Sequence, residues 1–151
     1  MTFDVGNSLI SQIMKSLLTI SLILMSTFML QGQNTIDVFI KGFKNDKGKA
    51  MVGLYITEKD FLKKTFKSFS TKIFNGKVKV SFEDIPEGVY AISVYHDENE
   101  NGKFDRLFGM IPKENYGNSN NVPPRFGPPQ WKDAKFEIKG GSAVQMDIEM
   151  M

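Results

Sequence analysis

Three features of the chain predict an all-β fold. After Gly32 it breaks into six or seven short segments that alternate apolar and polar residues; Asn-Gly, Pro and Gly-Gly turn signals separate them; and no sustained 3.6-residue period competes. The expected architecture is an antiparallel β-sandwich, immunoglobulin-like or transthyretin-like, with one short helix and a long ordered loop.

The segment ahead of the strands has a different character. Lys15 leads a run from Leu17 to Leu30 that is apolar but interrupted by Thr19, Ser21, Ser26 and Thr27, and Gln31-Gly32-Gln33 follows. A base, a short apolar stretch and a small residue are the parts of a signal peptide, so residues 1–32 are expected to be removed on export. A start at Met14 would place Lys15 directly after the initiator. The run is shorter than the ~20 residues a membrane-spanning helix needs, so no stable span is expected after cleavage. The destination is then periplasmic or extracellular. With no cysteine in the chain, a lipid-modified form is excluded and no disulfide can contribute to stability.

About 119 residues remain from Gln33 onward, enough for a single domain with one hydrophobic core. The net charge is +2, and the lysines are scattered along alternating strands rather than clustered. That pattern gives a solvated sheet face and speaks against a nucleic-acid partner.

Within residues 33–151, Ile36, Val38 and Ile40 share one face of a first strand, which stops at Asn45-Asp46-Lys47-Gly48; Val52, Leu54 and Ile56 mark a second. Their closeness in sequence suggests a hairpin. Thr57, followed by Asp60 and by Phe61, Leu62, Phe66 and Phe69, suggests a capped short helix. Asn75-Gly76 favours a type I′ turn between 70–74 and 77–83. Ile85-Pro86-Glu87-Gly88 then turns the chain into a strand through Tyr90, Ile92 and Val94. Val89, Ala91 and Tyr95 lie on the other face of that strand, which suggests a central strand partly covered on its outer face. The chain closes with a strand at 134–139, Gly140-Gly141, and a strand through Val144, Met146 and Ile148. The predicted core is Val38, Ile40, Leu54, Val80, Phe82, Ile92, Val94, Phe136 and Ile148.

Residues 97–133 form the long loop, and its first part carries the chemistry. Asp97, Asn99, Asn101, the Lys103 carbonyl and Asp105 occupy alternate positions around Gly102, the spacing by which a short loop wraps a hard cation. Position 12 of that pattern is Phe108 where a helix–loop–helix site has a bidentate glutamate, so a further oxygen must come from Glu114 or an asparagine of 115–121. Only two matched side chains are charged, and weak Ca²⁺ binding is expected. The competing expectation is a turn in which these side chains bond their own backbone.

His96 is the sole histidine and adjoins Asp97, which raises a hydrolase using His96 with Asp97 or Asp105 as an alternative. No nucleophile motif accompanies it, and one histidine is too few for a zinc site. No catalytic residue is therefore assigned. Tyr116, Phe126 and Trp131 could stack a sugar or peptide, or anchor the loop to the sheets; the tract Pro123-Pro124-Arg125-Phe126-Gly127-Pro128-Pro129 is a stiff connector.

The blocks Phe82-x-x-Ile85-Pro86-x-Gly88-x-Tyr90-Ala91, His96-Asp97-x-Asn99-x-Asn101-Gly102-Lys103-x-Asp105, Gly109-x-x-Pro112-x-Glu114-x-Tyr116-Gly117-x-Ser119-Asn120-Asn121 and Asp133-Ala134-x-Phe136 together resemble the bacterial domain of unknown function 2141 family, over about residues 35–149. Arg106-Leu107-Phe108-Gly109 departs from the small polar residues common there. The resemblance implies an exported β-sandwich and supplies no activity. The Pro86-x-Gly88-x-Tyr90 turn is also similar to that of carboxypeptidase regulatory-like and transthyretin-like modules, which are mostly accessory domains. The expected protein is an exported, non-catalytic binding or structural module, monomeric, with an envelope protein or glycan as partner.

Overall fold

The computed structural model describes residues 4–27, 34–109, 111–123, 127–141 and 143–151. Met1–Gly32 and Gln33–Met151 are separate compact units. In the first, α1 (Asp4–Thr27) is a single helix whose Ile13, Leu17 and Leu18 are exposed. Among the described residues no helix is long and apolar enough to cross a membrane. The expected cleavage position at Gly32 lies outside the described residues.

Among the described residues the second unit holds ten strands: β1 (Asn34–Lys41), β2 (Lys49–Tyr55), β3 (Lys67–Thr71), β4 (Lys77–Ile85), β5 (Gly88–Asp97), β6 (Arg106–Leu107), β7 (Ile111–Pro112), β8 (Tyr116–Asn118), β9 (Phe136–Ile138) and β10 (Ala143–Glu149). One sheet has the order β10-β1-β4; the other runs β3-β2-β5-β8, with β9 also on β5; β6 and β7 form a small ribbon. Pairing is antiparallel throughout, apart from β1 and β10, which run parallel.

Alternation explains how the two larger sheets meet. Ile36, Val38 and Ile40 of β1, Val80 and Phe82 of β4, Leu54 of β2, Ile92 and Val94 of β5 and Ile148 of β10 join one buried cluster. Eight of the nine predicted core residues are in it; Phe136 is half-buried and packs against its edge. Ile56 lies one residue past β2 and is exposed. The outward face of β5 is covered in part: Ala91 is buried, while Val89 is exposed. Ala91 and Tyr55 lie under Phe61, Leu62, Trp131 and Ala134, the last two from a short helix, α2 (Trp131–Ala134).

Three local expectations are corrected. β1 and β2 do not form a hairpin: β1 pairs β4 and β10 while β2 pairs β3 and β5, so the turn between them crosses from one sheet to the other. The turn at Asn75-Gly76 does form, with φ of 50° and 67°, and Asp46 accepts hydrogen bonds from both backbone amides at 2.8 and 2.7 Å. Yet only Phe74 and Lys77 pair across it before the strands diverge into opposite sheets. Thr57 and Asp60 bond each other as a cap, but no helix follows, since the chain reverses at Leu62 with φ of 60°. The short helix is α2 instead.

Ile92→Ala, at a fully buried site, should cost about 2–5 kcal/mol of unfolding free energy, and Ile56→Ala about 0.5 kcal/mol or less, measured by urea denaturation. Equal losses at the two positions would contradict the assignment of faces.

Candidate functional site

The long loop leaves β5 at Asp97 and comes back to the same strand as β8. The register pairs Ser93 with Asn118 and Tyr95 with Tyr116. Extended by two residues, it sets Asp97 across from Glu114, and the His96 amide donates to the Asn115 carbonyl at 2.9 Å. The segment from 98 to 113 is therefore an excursion from the end of an antiparallel pair, with a carboxylate on each side of its base.

That base organises the predicted site. Asp97 is 2% exposed, and its two carboxylate oxygens accept from the backbone N–H groups of Asn101 (3.0 Å) and Gly102 (2.8 Å). The Asn99 side-chain oxygen accepts from the Asn101 amide at 3.1 Å, and that of Asn101 from the Lys103 amide at 2.7 Å. Both asparagine NH₂ groups converge on Asp105, at 2.8 Å from Asn99 and 3.2 Å from Asn101. Glu114 then closes the loop, accepting from the amides of Asp105 (3.0 Å) and Glu98 (3.3 Å). The side-chain oxygens of Asp97, Asn99 and Asn101 thus bond the loop's own backbone, Asn99 and Asn101 meet Asp105 through their NH₂ groups, and Glu114 bonds the amides of Glu98 and Asp105.

The donor set is mixed. Among the described residues no group of three His, Cys, Asp or Glu side chains converges as a metal centre, and two of the loop's side chains are amides. Each amide oxygen spends one lone pair on a backbone N–H and keeps another. Gly102, with φ of 73°, makes the turn that leads the chain from Asn101 to Lys103. Outside the ring of donors, Lys49 pairs with Glu100 at 2.8 Å, which holds the Glu100 carboxyl below its ordinary range and the Lys49 ammonium above its own.

His96 points the other way, into the core. It is 1% exposed, sits edge-on to Phe43 at 5.4 Å, and its Nε2–H donates to the Lys47 carbonyl at 2.7 Å. Its Nδ1 is buried with no hydrogen-bond partner among the described residues. Successive residues of a strand face opposite ways, so His96 and Asp97 are not aimed at a common point. Of the aromatics, Tyr116 meets Phe104 and Trp131 meets Phe61, both edge to face, as loop anchors. Phe126 lies outside the described residues.

Residues 38–146 match the family described as an uncharacterized protein conserved in bacteria (DUF2141). The chain belongs to this family. No curated protein and no solved structure matches it.

Two residues of this DUF2141 chain escape any local pattern. Gly48 presses its backbone against the site: a Cβ there would lie 2.0 Å from the Asp97 carbonyl oxygen, and its φ is 65°. Ser119 is wholly buried beside β5. Its Oγ accepts from the Ile92 amide at 2.9 Å and donates to the Ala134 carbonyl. It fills the gap between β9, which pairs β5 at 88–90, and β8, which pairs it at 93–95. The signal for Ser119 was only its place in the Ser119-Asn120-Asn121 block. Asn120 and Asn121 turn out to be staples: Asn120 donates to the carbonyls of Asp133 and Lys135, while Asn121 bonds Asp147 and Glu149 along β10.

Ser119→Ala strands the buried Ile92 amide and should cost about 1–3 kcal/mol. Hydrogen exchange should localise the loss to the β5 edge. Wild-type protection at Ile92 in the variant would show that another group satisfies this amide.

Proposed function

We propose that the chain is an exported, non-catalytic binding or structural module whose long loop is ordered by a divalent cation, with an envelope protein or glycan as its partner. The convergence of Asp97, Asn99, Asn101 and Asp105 at the base fixed by Glu114 carries this proposal. All the side chains involved offer oxygen, the donor hard cations take. As the loop stands, the Asp105 charge is met by two amide NH₂ groups; a divalent ion is the stronger partner for it and would use oxygens of the same side chains. Ca²⁺ suits such a loop better than Mg²⁺, which needs near-ideal octahedral geometry and sheds water reluctantly.

Burial of His96 supports the non-catalytic part. A general base must reach the proton it takes. The His96 ring is instead enclosed, tied to the Lys47 carbonyl and turned away from the Asp97 side chain. Export rests on the sequence of residues 14–32.

With a dissociation constant of roughly 10⁻⁴ M, ~10 mM Ca²⁺ should stabilise the folded chain by about 2–3 kcal/mol, visible as a rise in Tm over chelator. Mg²⁺ should give less, and the double variant Asp97→Ala/Asp105→Ala should lose the rise. An equal rise in variant and wild type would reduce the loop to a hydrogen-bonded turn.

For export, the mature protein recovered from the envelope should begin at or near Gln33, as read by N-terminal sequencing. A full-length chain in the cytosol of healthy cells would overturn that part alone.

A further inference from the structure

The outward face of the larger sheet is only partly filled. Beside the patch under Phe61 and Trp131, the long loop arches over Ser93 and Tyr95 and encloses a cavity of about 600 Å³. This is within the ~300–1,000 Å³ of small-molecule sites. Tyr55, Tyr95, Phe104 and Tyr116 offer ring surfaces to it, and Ile111 and Pro112 of the small ribbon extend the apolar wall.

Among the described residues that line it, Arg106 is the one charged group, and there is no carboxylate. Its guanidinium lies 5.4 Å from the centre of the Phe104 ring and makes no ion pair among the described residues. Tyr95 is anchored, its hydroxyl donating to the Gly102 carbonyl at 3.2 Å. Flat apolar walls with a single cation at the rim suit a flat apolar body bearing one negative group.

We propose that this cavity is a binding site for a small aromatic organic anion, with its rings against the wall that Tyr95, Phe104 and Tyr116 form together and the anionic group on Arg106. The proposal goes beyond the module hypothesis, whose partner is an envelope protein or glycan, and it does not depend on the cation.

The test uses the full chain in chelator, so that failure of the cation proposal leaves the result untouched. Two probes share one ring system: 8-anilino-1-naphthalenesulfonate is an anion and N-phenyl-1-naphthylamine is neutral. Amide chemical shifts locate each probe, which separates the cavity from the exposed apolar residues of α1. Saturable shifts at Ser93, Tyr95, Phe104, Ile111 and Tyr116 are expected for both. Arg106→Gln should weaken the sulfonate about three- to fivefold, the size of a partly exposed ion pair, and change the neutral probe less than about twofold. Ile111→Ala, at an exposed position, should weaken both alike. Absence of saturable shifts at the cavity, or an equal effect of Arg106→Gln on the two probes, would overturn the proposal.

Discussion

The edge of β5 is the constraint on which the rest of the second unit depends. One side of this strand pairs β2 along residues 91–97. The other would expose a row of buried amides and carbonyls unless something covered it, and unpaired backbone groups are costly away from water. The chain covers it with the segments that follow the Asp97–Asp105 loop: β8 on residues 93–95, β9 on residues 88–90, and the Ser119 hydroxyl between them at Ile92. A stretch of 37 residues that looks irregular in sequence is therefore threaded along its own parent strand.

This arrangement sets the geometry of the acidic loop. Because β8 returns antiparallel to β5, the residue two before Tyr116 must fall opposite the residue two after Tyr95. Those are Glu114 and Asp97. From these fixed points the excursion carries Asn99, Asn101 and Asp105 around Gly102. The Gly48 backbone presses on the Asp97–Glu98 peptide from the β1–β2 turn, where a side chain would collide. The loop's precision thus comes from two sheet pairings and one close backbone approach more than from its own residues.

Local signals and distant ones were unequally legible in the sequence. Alternation set the inward faces of β1, β4 and β5, because a period of two is a property of neighbouring residues; the Asn75-Gly76 turn and the Asp97–Asp105 spacing were equally local. Strand partners were not. β1 and β2 look like a hairpin because they adjoin, but each has an apolar face that a sheet on the far side of the core can take, and pairing with β4, β10 and β5 satisfies both. The Thr57–Asp60 cap was visible, but Leu62 at positive φ ends the turn before a helix can propagate. Gly48 and Ser119 were invisible for the same reason as each other: what they touch, Asp97 and Ile92, is 49 and 27 residues away along the chain. Glu114 fell between these cases, since the sequence named it among the oxygen-bearing residues near the loop, and only the β5–β8 register sets it across from Asp97.

The loop and the cavity share a wall. Phe104 and Arg106 flank Asp105, so they alternate across the chain from it and face the cavity while Asp105 faces Asn99 and Asn101. Tyr95 reaches from the cavity floor to the Gly102 carbonyl inside the loop. Whatever fixes Asp105 in place fixes the backbone that presents Phe104 and Arg106. An ion held by Asp97 and Asp105 would also screen carboxylates that lie near Tyr95, where burial first and then Asp97 and Glu114 push the phenol pKa up. An ion proposed for the loop and a ligand proposed for the cavity would meet at this shared wall, and linkage requires that each change the affinity of the other by the same factor while leaving each able to bind alone.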